Sequence, residues 1–236
     1  MSSPHTDRIR QTWLMAPMIL AASLAAHAGS LDPSGPPAPT MKTIQEAEPR
    51  VPIHPSEIPK TISAPGSYYL TGNATGVSGA DGITIDAPDV TLDLRGFTLT
   101  GVSGSGNGIN ITTNGVRATV HGGKVRAWGN RGIGQSDFAE SVTVYDVTAQ
   151  GNGSHGIHLR NGGTIRNCSA HDNGFITTSD GLACEDRCLV IGSLARANAR
   201  FGINVTNESF VVMCSAVANG SGNYVFQTGS TGSTNR

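Results

Sequence analysis

Three histidines lie in one short polar stretch, NGSHGIHLRNGGTIRNCSAHDNG, which runs from Asn152 to Gly174. His155 and His158 flank a Gly-Ile pair, and His171 follows shortly afterwards. Imidazoles exchange protons near neutral pH, so histidines held close together are candidates for general acid–base catalysis. The alternative interpretation is that they only cover the polar outside of a structural repeat. The choice depends on how often Gly-Ile recurs and on the direction of each side chain.

The Gly-Ile pair belongs to a repeat. Gly followed by Ile or Leu occurs six times at intervals of 21 to 26 residues, at Gly82, Gly108, Gly132, Gly156, Gly181 and Gly202. An apolar segment and a polar bend lie between these pairs, and the bend ends in Asn152, Asn173, Asn198 and Asn219, with Trp128 at the equivalent place one repeat earlier. A self-similar period of this length is typical of a solenoid.

The repeat chemistry narrows the kind of solenoid. Leucine-rich repeats need several leucines per repeat, and a hexapeptide helix needs an apolar residue every six, and neither pattern occurs here. The 31 glycines and the 5% aromatic content indicate a high density of tight turns rather than a helical bundle. We therefore predict an all-β fold, a parallel β-helix of about six to seven coils between Ile62 and Phe226.

The segment GIHLRNGGTIRNCSAHDNG and its five companions resemble the right-handed parallel β-helix repeats of the pectin-lyase-like superfamily over about residues 64–226. This resemblance implies the fold, whereas the activity motifs of the superfamily are mostly missing. The Trp-Ile-Asp-His stretch of calcium-dependent pectate lyases and the Asp-Pro-His-Asp of bacterial alginate epimerases do not occur. Only Ser154-His155-Gly156 is similar to the Gly/Ser-His-Gly motif of polygalacturonases, and it lacks their paired upstream acids.

Alternation within a strand assigns the outward side chains. Ile157 and Leu159 point inward, so His158 and Arg160 point outward, with Glu185 expected beside Arg160 one coil along. The residues that directly precede the repeating glycine form a second column, whose middle reads Arg131, His155 and Asp180. A largely basic stripe is expected on the last strand of each coil: Arg126, Gln150, His171 and Arg196.

Two longer loops, at 101–107 and 174–180, emerge at one corner, three coils apart. They predict a solvent-facing trough in which the candidate catalytic residues His155, His158 and Arg160 lie together with Arg131, Asp180 and Glu185. The candidate substrate-binding residues are Arg131, Asp180, Glu185, Arg126, His171 and Arg196.

An extended groove suits an acidic polysaccharide. A polyuronate lyase would need a cation at the sugar carboxylate, for which Arg131 or Arg160 is the candidate, and a base, for which His155 or His158 is the candidate. The alternatives are a non-catalytic carbohydrate-binding or adhesion module and a structural surface protein. No EF-hand or Asp-rich nonapeptide motif supports bound Ca²⁺, and no cofactor or metal site is predicted.

About the first quarter of the chain lies outside the repeat. Residues 1–28 are similar to a cleaved export signal, residues 29–39 form a Pro-rich linker, and residues 40–63 form a cap segment with a short helix at 43–48. Residues 227–236 are expected to be a flexible polar tail. These features predict a secreted, periplasmic or cell-surface protein without a membrane span after cleavage, and the net charge of −1 gives no indication of nucleic-acid binding.

The four cysteines divide into two pairs. Cys168 and Cys214 occupy one inward position two coils apart, roughly 9–10 Å, which predicts core packing without a bridge. Cys184 and Cys188 are close enough to form a disulfide across a tight corner, although two thiols are equally compatible with the sequence and a zinc site is the weaker third option.

Overall fold

The described residues form a β-solenoid. The computed structural model describes residues 49–136, 139–175, 178–227 and 229–233. They wind through about seven turns of an all-β, right-handed parallel β-helix, which confirms the predicted fold. The predicted signal sequence, linker and cap helix at 43–48 lie outside these ranges.

Each coil contributes short strands separated by tight bends. One 3₁₀ helix spans Pro55–Glu57, and the strands are β1 (Val51–Ile53), β2 (Lys60–Ile62), β3 (Gly66–Leu70), β4 (Ala74–Thr75), β5 (Ile83–Ile85), β6 (Val90–Asp93), β7 (Thr98–Thr100), β8 (Ile109–Ile111), β9 (Thr119–Arg126), β10 (Ile133–Gln135), β11 (Thr143–Gln150), β12 (Ile157–Leu159), β13 (Thr164–Arg166), β14 (Ser169–His171), β15 (Leu182–Cys184), β16 (Leu189–Ile191), β17 (Leu194–Arg196), β18 (Phe201–Val205), β19 (Phe210–Val212), β20 (Ser215–Val217), β21 (Gly222–Phe226) and β22 (Thr231–Ser233).

The strands stack into two parallel sheets. The first sheet has eight strands in the order β2-β5-β8-β10-β12-β15-β18-β21. The second has fourteen strands, and the long strands β9 and β11 join its two halves, because each continues through a bend. Inward apolar residues meet at equal heights, so that Ile157 pairs with Leu182 and Leu182 pairs with Ile203. This register buries one continuous core between the sheets.

The bend between the two halves of the second sheet recurs in one conformation. Asp146, Asn167 and Met213 occupy it with φ of 54°, 52° and 51°. This left-handed region is uncommon outside glycine, and Asp and Asn tolerate it best. The stacked coils hold each bend in place, so even a methionine is accommodated there.

A ladder of buried asparagines explains why the glycine recurs. The Nδ2 group of Asn152 donates to Oδ1 of Asn173 at 2.9 Å, Asn173 donates to Asn198 at 3.0 Å, and Asn198 donates to Asn219 at 2.9 Å. A Cβ atom at Gly156 would lie 2.8 Å from Nδ2 of Asn173 and 2.7 Å from the carbonyl oxygen of Gly181. The ladder therefore leaves no room for a side chain at this position.

Trp128 replaces asparagine at the first step of the ladder. Its backbone N–H donates to Oδ1 of Asn152 at 3.1 Å, and its indole N–H donates to the carbonyl of Leu99 at 3.2 Å. The ring is 1% exposed and fills the space above Gly82 and Gly108, where a Cβ would contact it at 2.6 and 2.9 Å. One indole thus takes the place of an amide step and packs against two coils.

The β structure extends on both sides of the predicted range. Strands β1 and β2 lie within residues 40–63 and pair with β3 and β5, so the described part of the cap segment already belongs to the solenoid. The prediction of a flexible tail at 227–236 is wrong for residues 231–233, which form β22 and pair with β19. The open edge of β19 offers backbone partners there that the polar side chains did not reveal.

The cysteine predictions are confirmed where they were definite. Cys168 and Cys214 are buried and unbridged, and Ser193 lies between them. Burial raises the pKa of the Cys168 thiol to about 12. Cys184 and Cys188 form a disulfide with their Cα atoms 6.1 Å apart, at the corner between β15 and β16. Of the disulfide, the two thiols and the zinc site that the sequence left open for this pair, the structure has the disulfide.

Candidate functional site

A recess of about 300 Å³ opens on the outer face of the eight-stranded sheet. The side chains around it are mostly polar or charged: His155, His158, Thr178, Asp180, Ala183, Cys184, Glu185, Arg200, Asn204 and Thr206. They come from β12, β15 and β18 and from the bends beside these strands. The parallel register of three successive coils therefore builds this recess.

Glu185 is the centre of an ionic cluster on one side of the recess. Its Oε1 atom accepts from Nε2 of His158 at 3.2 Å, and its Oε2 atom accepts from Nη1 of Arg160 at 2.9 Å. The predicted pairing of Arg160 with Glu185 is thus present. The hydrogen bond from His158, and then the charge of Arg160, lower the pKa of the Glu185 carboxyl. Glu185 therefore remains a carboxylate and fixes the position of both partners.

Asp180 is fully buried on the other side of the recess. It forms a two-point ion pair with Arg200, in which Nε donates to Oδ1 at 2.6 Å and Nη2 donates to Oδ2. The Nδ2 group of Asn204 also donates to Oδ2, at 2.9 Å. A buried carboxylate needs this degree of pairing to remain charged. Asp180 therefore holds Arg200 and Asn204 in place and is itself covered.

The column before each repeating glycine is a second ladder. The side chain in one coil accepts from the backbone N–H in the next coil: Asp81 from Asn107 at 2.6 Å, Asn107 from Arg131 at 3.2 Å, and Asp180 from Phe201 at 3.2 Å. His155 does the same, because its Nδ1 atom accepts from the N–H of Asp180 at 2.9 Å. One ring nitrogen of His155 therefore has the structural role that Asp or Asn has in other coils.

The other ring nitrogen of His155, Nε2, takes no part in this ladder. Since Nδ1 accepts a hydrogen bond, the neutral ring carries its proton on Nε2. Burial, and then the nearby His158, lower the pKa of His155 to about 4, although Asp180 acts in the opposite direction. The ring is therefore neutral at physiological pH and presents a hydrogen-bond donor. The sequence left either His155 or His158 as the candidate base. In this tautomer His155 does not fit that role.

The two histidines lie side by side and deeper than predicted. Their ring centroids are 5.0 Å apart, and their side chains are only 15% (His155) and 9% (His158) exposed. The prediction that both face solvent is wrong, because strand alternation gives the direction of a side chain but not the height of its neighbours. The Nδ1 atom of His158 is covered and has no hydrogen-bond partner among the described residues.

The predicted walls of the trough are present only in part. Thr178, from the loop at 174–180, lines the recess, whereas the described lining includes no residue of the loop at 101–107. Arg131 lies beside the recess rather than in its lining. The Arg131 stem covers Gly134, where a Cβ would contact its Cδ atom at 3.0 Å, and the Arg131 charge helps to lower the pKa of His155.

The predicted basic stripe is a separate surface. Arg126, Gln150, His171 and Arg196 do stack in register, but on β9, β11, β14 and β17 of the fourteen-stranded sheet. His155 and His158 belong to the coil segments of the other sheet. Arg126, His171 and Arg196 therefore lie on another sheet than the two histidines, and their predicted role in substrate binding stays a prediction.

Sequence reasoning missed Arg200, Asn204 and Thr206 as parts of the recess, whereas Thr178 lies in a loop that it predicted as a wall. Arg200 lies two residues before its repeating glycine and reaches back one coil to Asp180. The sequence did contain a signal for Arg200, because a buried acid in the column requires a cation within side-chain reach.

Within the described residues, no group of three or more His, Cys, Asp or Glu side chains could hold a metal ion.

Comparison with known proteins supports the fold assignment. No family model matches the sequence, and no curated protein is significantly similar to it. The A-module of the Azotobacter vinelandii mannuronan C-5 epimerase AlgE4 matches with a TM-score of 0.57 and 12% identity, over 79% of this chain and 66% of that module. The A-module of AlgE6 from the same organism matches with a TM-score of 0.37 and 11% identity, over 79% of this chain and 68% of that module.

The chain thus spans slightly less than two thirds of the AlgE4 module that it resembles. No helix among the described residues is long and apolar enough to cross a membrane. The parallel register, the stacked bends and the likeness to AlgE4 agree on one architecture. The chain has a right-handed parallel β-helix fold.

Proposed function

We propose that this protein binds an extended, uronate-containing polysaccharide along the outer face of the eight-stranded sheet, with one sugar unit in the recess. The observation that carries the proposal is the recess itself, in which a neutral histidine, a paired arginine and a carboxylate converge on a rigid face. The structural neighbour AlgE4 is named as acting on mannuronan. An export signal at residues 1–28 would bring the protein to such a polymer outside the cytoplasm.

The polar groups of the recess match the two faces of a uronate. Nε2–H of His155 and the guanidinium of Arg200 supply donors on one side, where a sugar carboxylate would bind. Glu185 supplies acceptors on the other side, where sugar hydroxyls would donate. A uronate carboxylate would accept from these donors more strongly than a neutral sugar hydroxyl, so we propose an acidic polymer.

Elimination chemistry is the catalytic form of this proposal. The base removes the proton on the carbon next to the carboxylate, the electron pair forms a double bond, and the glycosidic oxygen leaves with a proton from an acid. His155 stays neutral, so its Nε2–H donates a hydrogen bond to the sugar rather than a proton, and the leaving oxygen takes its proton from water. His158 suits the base, because donation from Nε2 to Glu185 leaves the lone pair of the neutral ring on Nδ1.

A non-catalytic binding module is the second candidate. It is favoured by the covered position of His158 Nδ1, which must move before it can reach a sugar proton. It is also favoured by Asp180, which is fully committed to Arg200, Asn204 and the backbone. Binding without turnover would distinguish this candidate from a lyase.

The test is incubation with polymannuronate, polyguluronate and polygalacturonate, with a neutral glucan as control. Calorimetry measures binding, and ultraviolet absorbance detects a newly formed double bond. We expect binding of at least one polyuronate and none of the glucan. Binding of the glucan as tightly as of every polyuronate, or of no polymer at all, would refute the proposal.

Two variants locate the binding surface. Arg200→Gln removes the cation of the recess, and Arg196→Gln removes a cation from the separate basic stripe. We expect the first variant to weaken polyuronate binding by about tenfold or more, and the second to change it by less than about twofold. The reverse result would assign binding to the stripe on the fourteen-stranded sheet.

A further inference from the structure

A second recess, of about 280 Å³, opens at a corner of the solenoid. Its lining consists of Glu140, Ser141, Asn161, Gly162 and Arg187. These residues belong to the bends that lead from the eight-stranded sheet into β11, β13 and β16 of the fourteen-stranded sheet. Three successive coils therefore build the second recess, as three coils build the first.

Small residues in a column of equivalent bends leave the space for the second recess. Arg117, Ser141, Gly162 and Arg187 occupy the same place in successive coils, with φ between 57° and 65°. Their N–H groups each donate to a backbone carbonyl of the following coil, at 2.9 to 3.3 Å. The column thus places a serine and a glycine between two arginines, and the short side chains leave a gap in which a ligand can lie.

The polar side chains of the second recess are not used by the fold. Within the described part of the chain, none of the four forms a hydrogen bond or an ion pair. The equivalent Arg117 differs, because its guanidinium forms a two-point ion pair with Asp89 at 2.7 and 2.8 Å. Arg187 is exposed and is therefore a cation available to an anionic ligand, while Glu140 offers acceptors to hydroxyl groups.

The two recesses present the same kinds of polar group, an arginine, a glutamate and an asparagine. These residues are Arg200, Glu185 and Asn204 in the first recess and Arg187, Glu140 and Asn161 in the second. A ligand with a carboxylate and several hydroxyls meets suitable partners in both. The chemistry that favours a uronate in the first recess therefore also favours one in the second.

An ion pair separates the two recesses. Glu185 lines the first recess, and Arg187, two residues further along the same bend, lines the second. Asn161 of the second recess directly follows Arg160, the ion-pair partner of Glu185. Because two residues span at most about 7 Å, an extended polymer in the first recess reaches the second by crossing the Arg160–Glu185 pair.

The charges on the outer face favour this direction for a polyanion. Three coils towards the N-terminus, Asp86 takes the place that Arg160 has after its strand. Hydrogen bonds from Thr112 and Asn114 lower the pKa of the Asp86 carboxyl, so this residue is an anion. A polyuronate that followed the sheet face towards Asp86 would meet repulsion, whereas the corner offers Arg187.

We propose that the second recess is a further subsite for the polyuronate, in which Arg187 binds the carboxylate of one sugar unit and Glu140 and Asn161 accept from its hydroxyls. This path rests on the function proposed above and adds the direction of the polymer, from the sheet face over the Arg160–Glu185 pair to the corner. The bound segment then fills both recesses at once, so affinity should rise with the length of the oligomer.

Calorimetry on the full-length protein tests the subsite. The probes are oligomers of mannuronate, guluronate and galacturonate, each as the disaccharide and as the hexasaccharide. Arg187→Gln changes the second recess, and Arg200→Gln changes the first. Arg117→Gln is the matched control, because it removes an exposed arginine from the same column but outside the lining. Circular dichroism melting verifies that each variant is folded.

For Arg187→Gln, we expect the affinity for the hexasaccharide to fall about fivefold, as for an exposed ion pair at the upper end of its usual strength. The affinity for the disaccharide, which fills only the first recess, should change by less than about twofold, and so should both affinities in Arg117→Gln. Unchanged hexasaccharide binding in Arg187→Gln, an equal loss for both oligomers, or an equal loss in Arg117→Gln would overturn the subsite.

The variants distinguish a failure of the subsite from a failure of the proposed function. A loss of binding in Arg200→Gln without a loss in Arg187→Gln keeps the proposed function and overturns the subsite. A loss in Arg187→Gln alone assigns the ligand to the second recess and refutes binding in the first. If the natural protein binds none of the oligomers, both are refuted.

Discussion

Asn173→Ala tests whether the asparagine ladder stabilises the solenoid. In the natural chain, Oδ1 of Asn173 accepts from the backbone N–H of Asn152 at 3.1 Å, and Nδ2 donates to the carbonyl of Ala149 at 3.0 Å. Both partners are buried. Truncation leaves one donor and one acceptor without a partner, and each costs about 1–3 kcal/mol. We expect the free energy of unfolding to fall by about 2–6 kcal/mol.

Urea unfolding followed by circular dichroism measures this change. Asn219→Ala is the matched control, because this last asparagine of the ladder is only partly buried and its loss should cost about 1 kcal/mol or less. Amide hydrogen exchange gives a local readout, since the N–H of Asn152 should lose protection in Asn173→Ala. A loss of stability below about 1 kcal/mol, or equal losses in the two variants, would show that the ladder fills space without stabilising the stack.

Three further predictions concern the site and the start of the ladder. His155→Asn should keep an acceptor for the N–H of Asp180, as Asn107 does for Arg131, so calorimetric melting should show a smaller loss of stability than in His155→Ala, while polyuronate binding weakens in both. Folding lowers the pKa of His155 to about 4, so between about pH 6.5 and pH 4 the unfolded chain binds a proton at this ring that the folded chain does not. Stability should therefore fall as pH falls through this range. Urea unfolding should show a shallower fall for His155→Asn, and equal slopes would contradict the lowered pKa of His155. Trp128→Ala should lower the free energy of unfolding by about 3–5 kcal/mol, because the indole is fully buried and the facing residues Gly82 and Gly108 have no side chains to fill the cavity. A denaturation curve close to that of the natural chain would refute this.

The sequence predicted the architecture because the fold repeats its own constraints. The recurring glycine and asparagine each mark one corner of the coil, so their spacing alone places Arg160 beside Glu185 and Cys168 in the core, as the structure has them. In a stacked fold, the repeat period decides which residues are neighbours in adjacent coils, and the alternation along a strand decides which side chains point inward.

The candidate site was less predictable, because its properties depend on depth and on the shape of neighbouring bends. Alternation correctly turned His158 outward but gave no indication that the adjacent bends would cover it. The column pattern placed His155 between Arg131 and Asp180, yet the bond that defines the ring is to the backbone N–H of Asp180. Arg200 escaped notice because its side chain reaches across coils rather than along its own column.

The asparagine ladder has a consequence for how such a protein changes length. Asn198 and Asn219 occupy equivalent places and are linked directly, amide to amide, and successive rungs lie 21 or 25 residues apart in the sequence. Any segment that begins at one rung and ends just before the next is an exchangeable unit, because the two ends already share conformation and partners. Gene duplication or deletion in whole units would therefore lengthen or shorten the binding face without redesigning a corner. A gain of a fractional unit would misplace every later rung.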